Sequence, residues 1–338
     1  MLYNNVYIES LVHAIPEEEV LTKDLEESIT PLYKKMGLKP GWLQAVTGIR
    51  ARRFWPRGYK PSDVASMAAT KALAQSGFST DKIQALVSCS VCKDYIEPSV
   101  AAITHGKLGL SSYASNYDVG NACLGFLTGM TVIADQIELG KIDVGMVVSG
   151  ESSREPTEAT IERLQNPNAS MIDFRDNLAT LTLGSAGVAM ILTSKKFSST
   201  KHRFLGGISR AATQWHGLCV GTPTKMTTNP TKLLSEGVAL AKKTWDDISS
   251  VLDIRPSSIA EYALHQVGQA NHDAVLQALA LPPNKALRLY IDHGNVGACG
   301  VPFALSSLVE KQRVQLGQRV GLMGIGSGLN VMMFGVEW

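Results

Sequence analysis

The 338-residue chain has no apolar run near the roughly 18–20 residues needed to cross a bilayer, which excludes a membrane-spanning helix. Met1 to Ser10 lacks a charged start followed by an apolar stretch, so no secretory signal is expected. A net charge of only +2 gives no general pull toward nucleic acid or anionic membrane. The five cysteines, Cys89, Cys92, Cys123, Cys219 and Cys299, are odd in number and too sparse for a disulfide scaffold, so a reduced, cytoplasmic protein is expected. Cys89-Ser90-Val91-Cys92 has redox spacing but falls in a strand and loop, not at a helix start. No second cysteine pair or histidine cluster completes a zinc site. Gly324 to Asn330 is glycine-rich without dinucleotide or Walker spacing. Neither a metal nor a bound cofactor is expected.

What remains is a globular composition, 45% apolar and 18% charged, long enough for one large domain or two similar halves. The pattern alternates strands and helices. Residues 1–10 read as a strand, Thr22 to Met36 as a helix, and Pro40 to Arg53 as a basic loop. Ser62 to Ser76 is an alanine-rich amphipathic helix, and Ala85 to Ser90 a short apolar strand. Pro98 opens a helix, Asn116 to Val119 is a strand, and Asp143 to Ser149 is a strand buried on both faces. The second half runs in the same order: a helix over Leu233–Leu252, a strand ending at His265, and a helix from Gln269 to Ala280. A strand over Leu287–Ile291, a helix over Val301–Glu310 and a final strand over Arg319–Met323 complete it.

The halves also align by number in two short stretches. Asp118-Val119-Gly120-Asn121 reappears as Asp292-His293-Gly294-Asn295, and at the same separation Gly150 falls on Gly324. This predicts a duplicated α/β fold, with an N-terminal half over 1–230, including a connecting region at 151–230, and a C-terminal half over 231–338. Two such halves would turn the same loops toward a shared centre.

Three residues gain meaning from that symmetry. Cys123 follows a strand and a tight turn and opens an apolar helix, where unpaired N–H groups and the helix dipole favour a thiolate. Taken singly, it reads as a buried structural cysteine. His265 ends a strand and reads singly as a packed histidine; Asn295 reads as a turn residue. Brought together, a thiol, an imidazole and an amide make a nucleophile with a base or donors. The turn at Gly326 and Ser327 suits the presentation of backbone N–H groups to an oxyanion. Glu97, before Pro98, reads as a surface group at a helix entry unless it reaches the thiol. Cys219 and Cys299 read as packing residues.

With these residues assembled, the chain resembles the thiolase-fold condensing enzymes of the β-ketoacyl-ACP synthase III branch, through Asn121-Ala122-Cys123-Leu124-Gly125-Phe126, His265-Gln266, Gly294-Asn295 and Gly324 to Gly328. Within it, Asp94 to Ser99, Glu236-Gly237 and Gly324 to Asn330 are similar to the OleA type, which joins two fatty acyl-CoA molecules head to head. The resemblance implies a five-layer αβαβα homodimer. It implies Cys123 as the acylated nucleophile and His265 and Asn295 as donors to the second thioester's enolate. Backbone at Cys123 and around Gly326-Ser327 would form the oxyanion site. Glu97 would take the α-proton in the partner subunit's site, and Trp42 and Arg50 would lie at the CoA nucleotide. Val46 stands where synthase III carries a second nucleotide-contacting arginine, and the final turn has Gly-Ser-Gly instead of a glycine run. The alternatives are decarboxylative condensation with malonyl-ACP, acyl transfer to an alcohol or amine, and a non-catalytic acyl-binding protein.

Overall fold

The apolar runs form a nine-stranded sheet in the computed structural model, which describes residues 1–222, 224–252 and 256–338. Its strands are β1 (Val6–Ala14), β2 (Ala85–Ser88), β3 (Ser115–Asp118), β4 (Val144–Glu151), β5 (Ala186–Ser194), β6 (Arg203–Ala211), β7 (Ile259–Leu264), β8 (Arg319–Gly326) and β9 (Asn330–Glu337), in the spatial order β7-β8-β9-β6-β1-β5-β4-β2-β3. Each half repeats one pairing pattern. β2 lies parallel to β4, which pairs antiparallel to β5, which pairs antiparallel to β1. Likewise β7 lies parallel to β8, then β9 and β6 follow antiparallel. The halves join where β1 meets β6 at the single pair Tyr7 and Arg203.

Helices fill three layers around these half-sheets. Outside the first half lie α1 (Pro61–Ser76) and α2 (Val100–Leu108). On α1, Ala65, Ala68, Ala69 and Ala72 form one buried stripe at helical spacing, small enough to let the helix lie close on β4 and β5. In the middle, α3 (Gly125–Glu138) packs on the first half and its counterpart α6 (Gly300–Glu310) on the second, and the two touch. Outside the second half lie α4 (Pro230–Leu252) and α5 (Gln269–Ala278). The apolar clusters follow the layers. One, with Phe126, Ile133, Phe303 and Leu305, lies between the half-sheets, and one lies on each outer face. A fourth cluster, with Leu43 and Phe174, holds the side cap formed by Thr22–Met36, Trp42–Thr47 and residues 154–182.

Four expectations change. The helix over Thr22–Met36 is two helices, Thr22–Ser28 and Thr30–Met36, parted at Ile29, with Pro31 in the first turn of the second. The basic loop is ordered as a helix, Trp42–Thr47, and a strand, Ala51–Phe54. Leu287–Ile291 is not a strand. Its strand character is reduced to one bridge, Ala286 to Tyr262, after which Tyr290–His293 forms a helical turn. Its backbone is claimed elsewhere, because Arg50 N–H donates to the Ile291 carbonyl and Tyr290 N–H to the Gln266 amide. Arg203–Ala211, placed by sequence in the connecting region, pairs with the C-terminal β9. The helices α3 and α6 begin at Gly125 and Gly300, one residue further apart than the sequence match.

Candidate active site

Cys123 sits where the repeat brings the two halves together. Asp118, at the end of β3, accepts N–H bonds from Ala101 at 2.8 Å and Val100 at 3.2 Å and pairs with Lys93 at 2.6 Å. That caps α2 and fixes the point where the chain leaves the sheet. The backbone then turns sharply: Ala122 takes φ +45°, a conformation with a steric cost for a residue bearing a Cβ. One 3-10 turn, Ala122–Leu124, delivers Cys123 to the start of α3. α3 reaches this place because Gly125 and Gly129 lie against Cys89. A Cβ at Gly125 would meet the Cys89 carbonyl oxygen at 2.5 Å, and one at Gly129 its Sγ at 2.3 Å.

The expected thiolate is not the resting form. Burial pushes the Cys123 thiol up to about 12, and the nearby Cys219 and Glu151 push the same way. Cys123 is partly buried, and at this thiol the loss of solvation outweighs the helix terminus.

His265 follows β7, its N–H donating to the Met323 carbonyl at 2.8 Å. It is buried, and among the described residues neither ring nitrogen has a hydrogen-bond partner. Burial holds its imidazole down at about 4, so it is neutral near pH 7. Gly324, on β8, separates it from the thiol's turn: a Cβ there would lie 2.5 Å from Leu124 and 3.5 Å from the His265 Cβ. Asn295 is buried between backbone partners, its N–H donating to Thr182 and its carbonyl accepting from Gly184, both at 2.8 Å. Its Oδ1 accepts the Gly297 N–H at 3.0 Å, which leaves the Nδ2 end of the amide to donate. Gln266 supports both residues: its Nε2 donates to the Leu287 carbonyl at 2.8 Å, pinning the turn before Asn295 beside His265.

The glycine-rich turn closes the site. Gly326 packs on Leu124, and Cys219 lies beside Ser327. Asn330 Nδ2 donates to Asn121 Oδ1 at 3.0 Å, and Asn121 Nδ2 to Thr128 at 2.9 Å, tying this turn to the residues before Cys123. The turn of Cys123 thus packs against β8 with its glycine-rich end and against the turn that follows Asn295, where His265 lies beside Gly300. Cys219 belongs beside them and is not remote packing, which sequence reasoning missed, as it did the bond that joins Asn121 to Asn330.

The other candidates lie apart. Glu97 is exposed and has no hydrogen bond or ion pair among the described residues. Trp42 packs on Phe174, ring centroids 5.6 Å apart, in the side cap. Arg50 is half exposed and already engaged by Asp292 at 2.7 Å and Glu19 at 3.1 Å. Cys89 lies under α3, while Cys92 turns toward the Ser152 carbonyl, so the two do not form a pair.

Known proteins resemble this arrangement along the whole chain. A family model, 3-oxoacyl-[acyl-carrier-protein (ACP)] synthase III C terminal, matches residues 251–338. The acyl-CoA:acyl-CoA alkyltransferase of Xanthomonas campestris is 38% identical over 100% of both chains. That of Shewanella oneidensis is 39% identical, again over 100% of both. The β-ketoacyl-[acyl-carrier-protein] synthase III of Neisseria meningitidis is 26% identical over 88% of this chain and 90% of that one. The crystal structure of Xanthomonas campestris OleA with cerulenin bound superposes with a TM-score of 0.98, at 38% identity, covering 100% of this chain and 98% of that one. Other solved structures of that enzyme are altered at one cysteine, one glutamate or one histidine, and one of the cysteine variants holds lauric acid and lauroyl-CoA.

Proposed function

The chain belongs to the acyl-CoA:acyl-CoA alkyltransferases, the OleA-like branch of the thiolase-fold condensing enzymes, and from that premise we infer that it joins two fatty acyl-CoA molecules by a non-decarboxylative Claisen condensation. One observation carries the reading. The glutamate, cysteine and histidine altered in the Xanthomonas enzyme are spaced along that chain as Glu97, Cys123 and His265 are here.

In the first half-reaction the Cys123 sulfur attacks the thioester carbonyl of one acyl-CoA. The thiol gives up its proton as the bond forms, and the unpartnered imidazole of His265 is the acceptor the site offers. CoA leaves as its thiol and the acyl group stays on sulfur. In the second, a carboxylate at Glu97 takes an α-proton from another acyl-CoA. The enolate oxygen is held by neutral His265 and the Asn295 amide. The carbon attacks the acyl-cysteine carbonyl, the C–S bond breaks, and a β-ketoacyl-CoA forms as the Cys123 thiolate departs.

Glu97 acts across a homodimer in this reading. Support comes from its loop: β3 is an edge strand, and Tyr95, Ile96 and Tyr113 beside it are exposed, Ile96 fully. Apolar side chains next to an open sheet edge suit a second copy of the chain. Trp42 and Arg50 flank the CoA nucleotide, with Arg50 exchanging Asp292 for phosphate. The Glu97→Ala variant is expected to acylate Cys123 normally and to lose condensation by about 10²–10⁴-fold. Mixing it with the Cys123→Ala variant should restore condensation through hybrid dimers; unchanged condensation in Glu97→Ala would remove Glu97 from the reaction.

A further inference from the structure

Glu151, the last residue of β4, is buried at 3% exposure and takes no part in the steps above. Three backbone donors converge on its carboxyl. Oε1 accepts the N–H of Val91 at 2.8 Å and of Ala298 at 3.3 Å, and Oε2 accepts that of Cys92 at 3.1 Å. The donors come from two loops. Val91 and Cys92 begin the segment that carries Glu97. Ala298 lies in the turn after Asn295, next to Gly297, whose N–H holds the Asn295 side chain. Gly297 also approaches so closely that a Cβ on it would lie 3.1 Å from the Glu151 Cδ. The backbone of Glu151 is held too, because the Trp55 indole donates to its carbonyl at 3.1 Å. Only an acceptor on both oxygens can serve all three donors, and a buried N–H left without one is strongly unfavourable.

We propose that Glu151 is a positioning residue for the second half-reaction, its carboxyl locking the base-bearing loop and the Asn295 turn to one another. The proposal rests on the roles of Glu97 and Asn295 given above. It separates the two half-reactions, since Cys123 is delivered by β3 and α3, is not one of this carboxyl's hydrogen-bond partners, and feels Glu151 only as a nearby charge.

The test is Glu151→Gln, which keeps the shape and loses one acceptor. With its oxygen on Val91 and Ala298, its amide NH₂ faces the Cys92 N–H; flipped, it faces the other two. Acylation of Cys123 by lauroyl-CoA is followed by intact mass, condensation by product mass, and folding by thermal melting. The expected result is a folded variant that acylates within about threefold of wild type and condenses about tenfold to a hundredfold more slowly, as a displaced catalytic group does. Glu151→Asp keeps both oxygens but retracts them, and is expected to show the same split if the glutamine variant does not fold. Equal loss of both steps, unchanged condensation, or failure of both variants to fold would overturn the proposal. Wild-type protein that makes no product from lauroyl-CoA alone would instead defeat the reaction assignment, and the proposal with it.

Discussion

The turn that carries Cys123 and the turn that carries Asn295 are built alike and used differently. Each leads through one 3-10 turn into a helix begun by glycine, Gly125 in the first half and Gly300 in the second. In the first half the edge strand β3 persists, and the strained position falls on Ala122, directly before the nucleophile. In the second half the corresponding strand has become the helical turn Tyr290–His293, and the positive φ angles fall on Gly294 and Gly297. The first half thus keeps an open edge and presents a thiol. The second folds its edge against Arg50 and Gln266 and presents an amide and an imidazole. Duplication supplies the common frame, and the turn residues assign the chemistry.

Substitution of each turn should break different steps. Cys123→Ala is expected to abolish acyl-enzyme and condensation together, by about 10⁴-fold or more; a mass adduct persisting elsewhere would show that the first half does not carry the nucleophile. Asn295→Ala should spare acylation and slow condensation by about 10²–10³-fold, the usual cost of one oxyanion donor. Equal loss of both steps would merge the roles of the two turns.

The raised thiol sharpens the contrast in another way. Only the thiolate reacts with iodoacetamide, and with a pKa of about 12 its fraction at Cys123 should rise about tenfold per pH unit between pH 7 and 9. The measurement is the alkylation rate at Cys123, and a plateau below pH 8 would mean that the helix terminus outweighs burial. The smallest effects on chemistry come from the glycines of the two central helices. Gly129→Ala, meeting the Cys89 sulfur, should lower stability by about 1–3 kcal/mol with turnover per folded molecule preserved. Gly300→Ala would place a Cβ 2.7 Å from His265 Nδ1, so it should lower turnover as well.

How far the sequence could be read follows the same division. Cys123, His265 and Asn295 were legible because His265 directly follows a strand and because the turns before Cys123 and at Asn295 share a motif, identical at three of four positions, in two matching halves. The strand at Leu287–Ile291 misled because its apolar character is real, while its backbone partners, Arg50 and Gln266, are not local. Pro31 was an available signal for the break at Ile29. The protonation of Cys123 was misread because the helix terminus is local and visible in the chain, whereas burial is set by both halves. The place of Cys219 and the bond between Asn121 and Asn330 rest on contacts distant in sequence, which no spacing announces. Glu151 did leave a trace, a lone carboxylate closing the apolar strand Val144–Glu151.

The most direct test of the central claim is turnover with lauroyl-CoA as the sole substrate, read by CoA release and product mass. Release of CoA with a β-ketoacyl product built from two lauroyl groups is the expected result. Acylation of Cys123 that proceeds to product only when malonyl-ACP is supplied would contradict it.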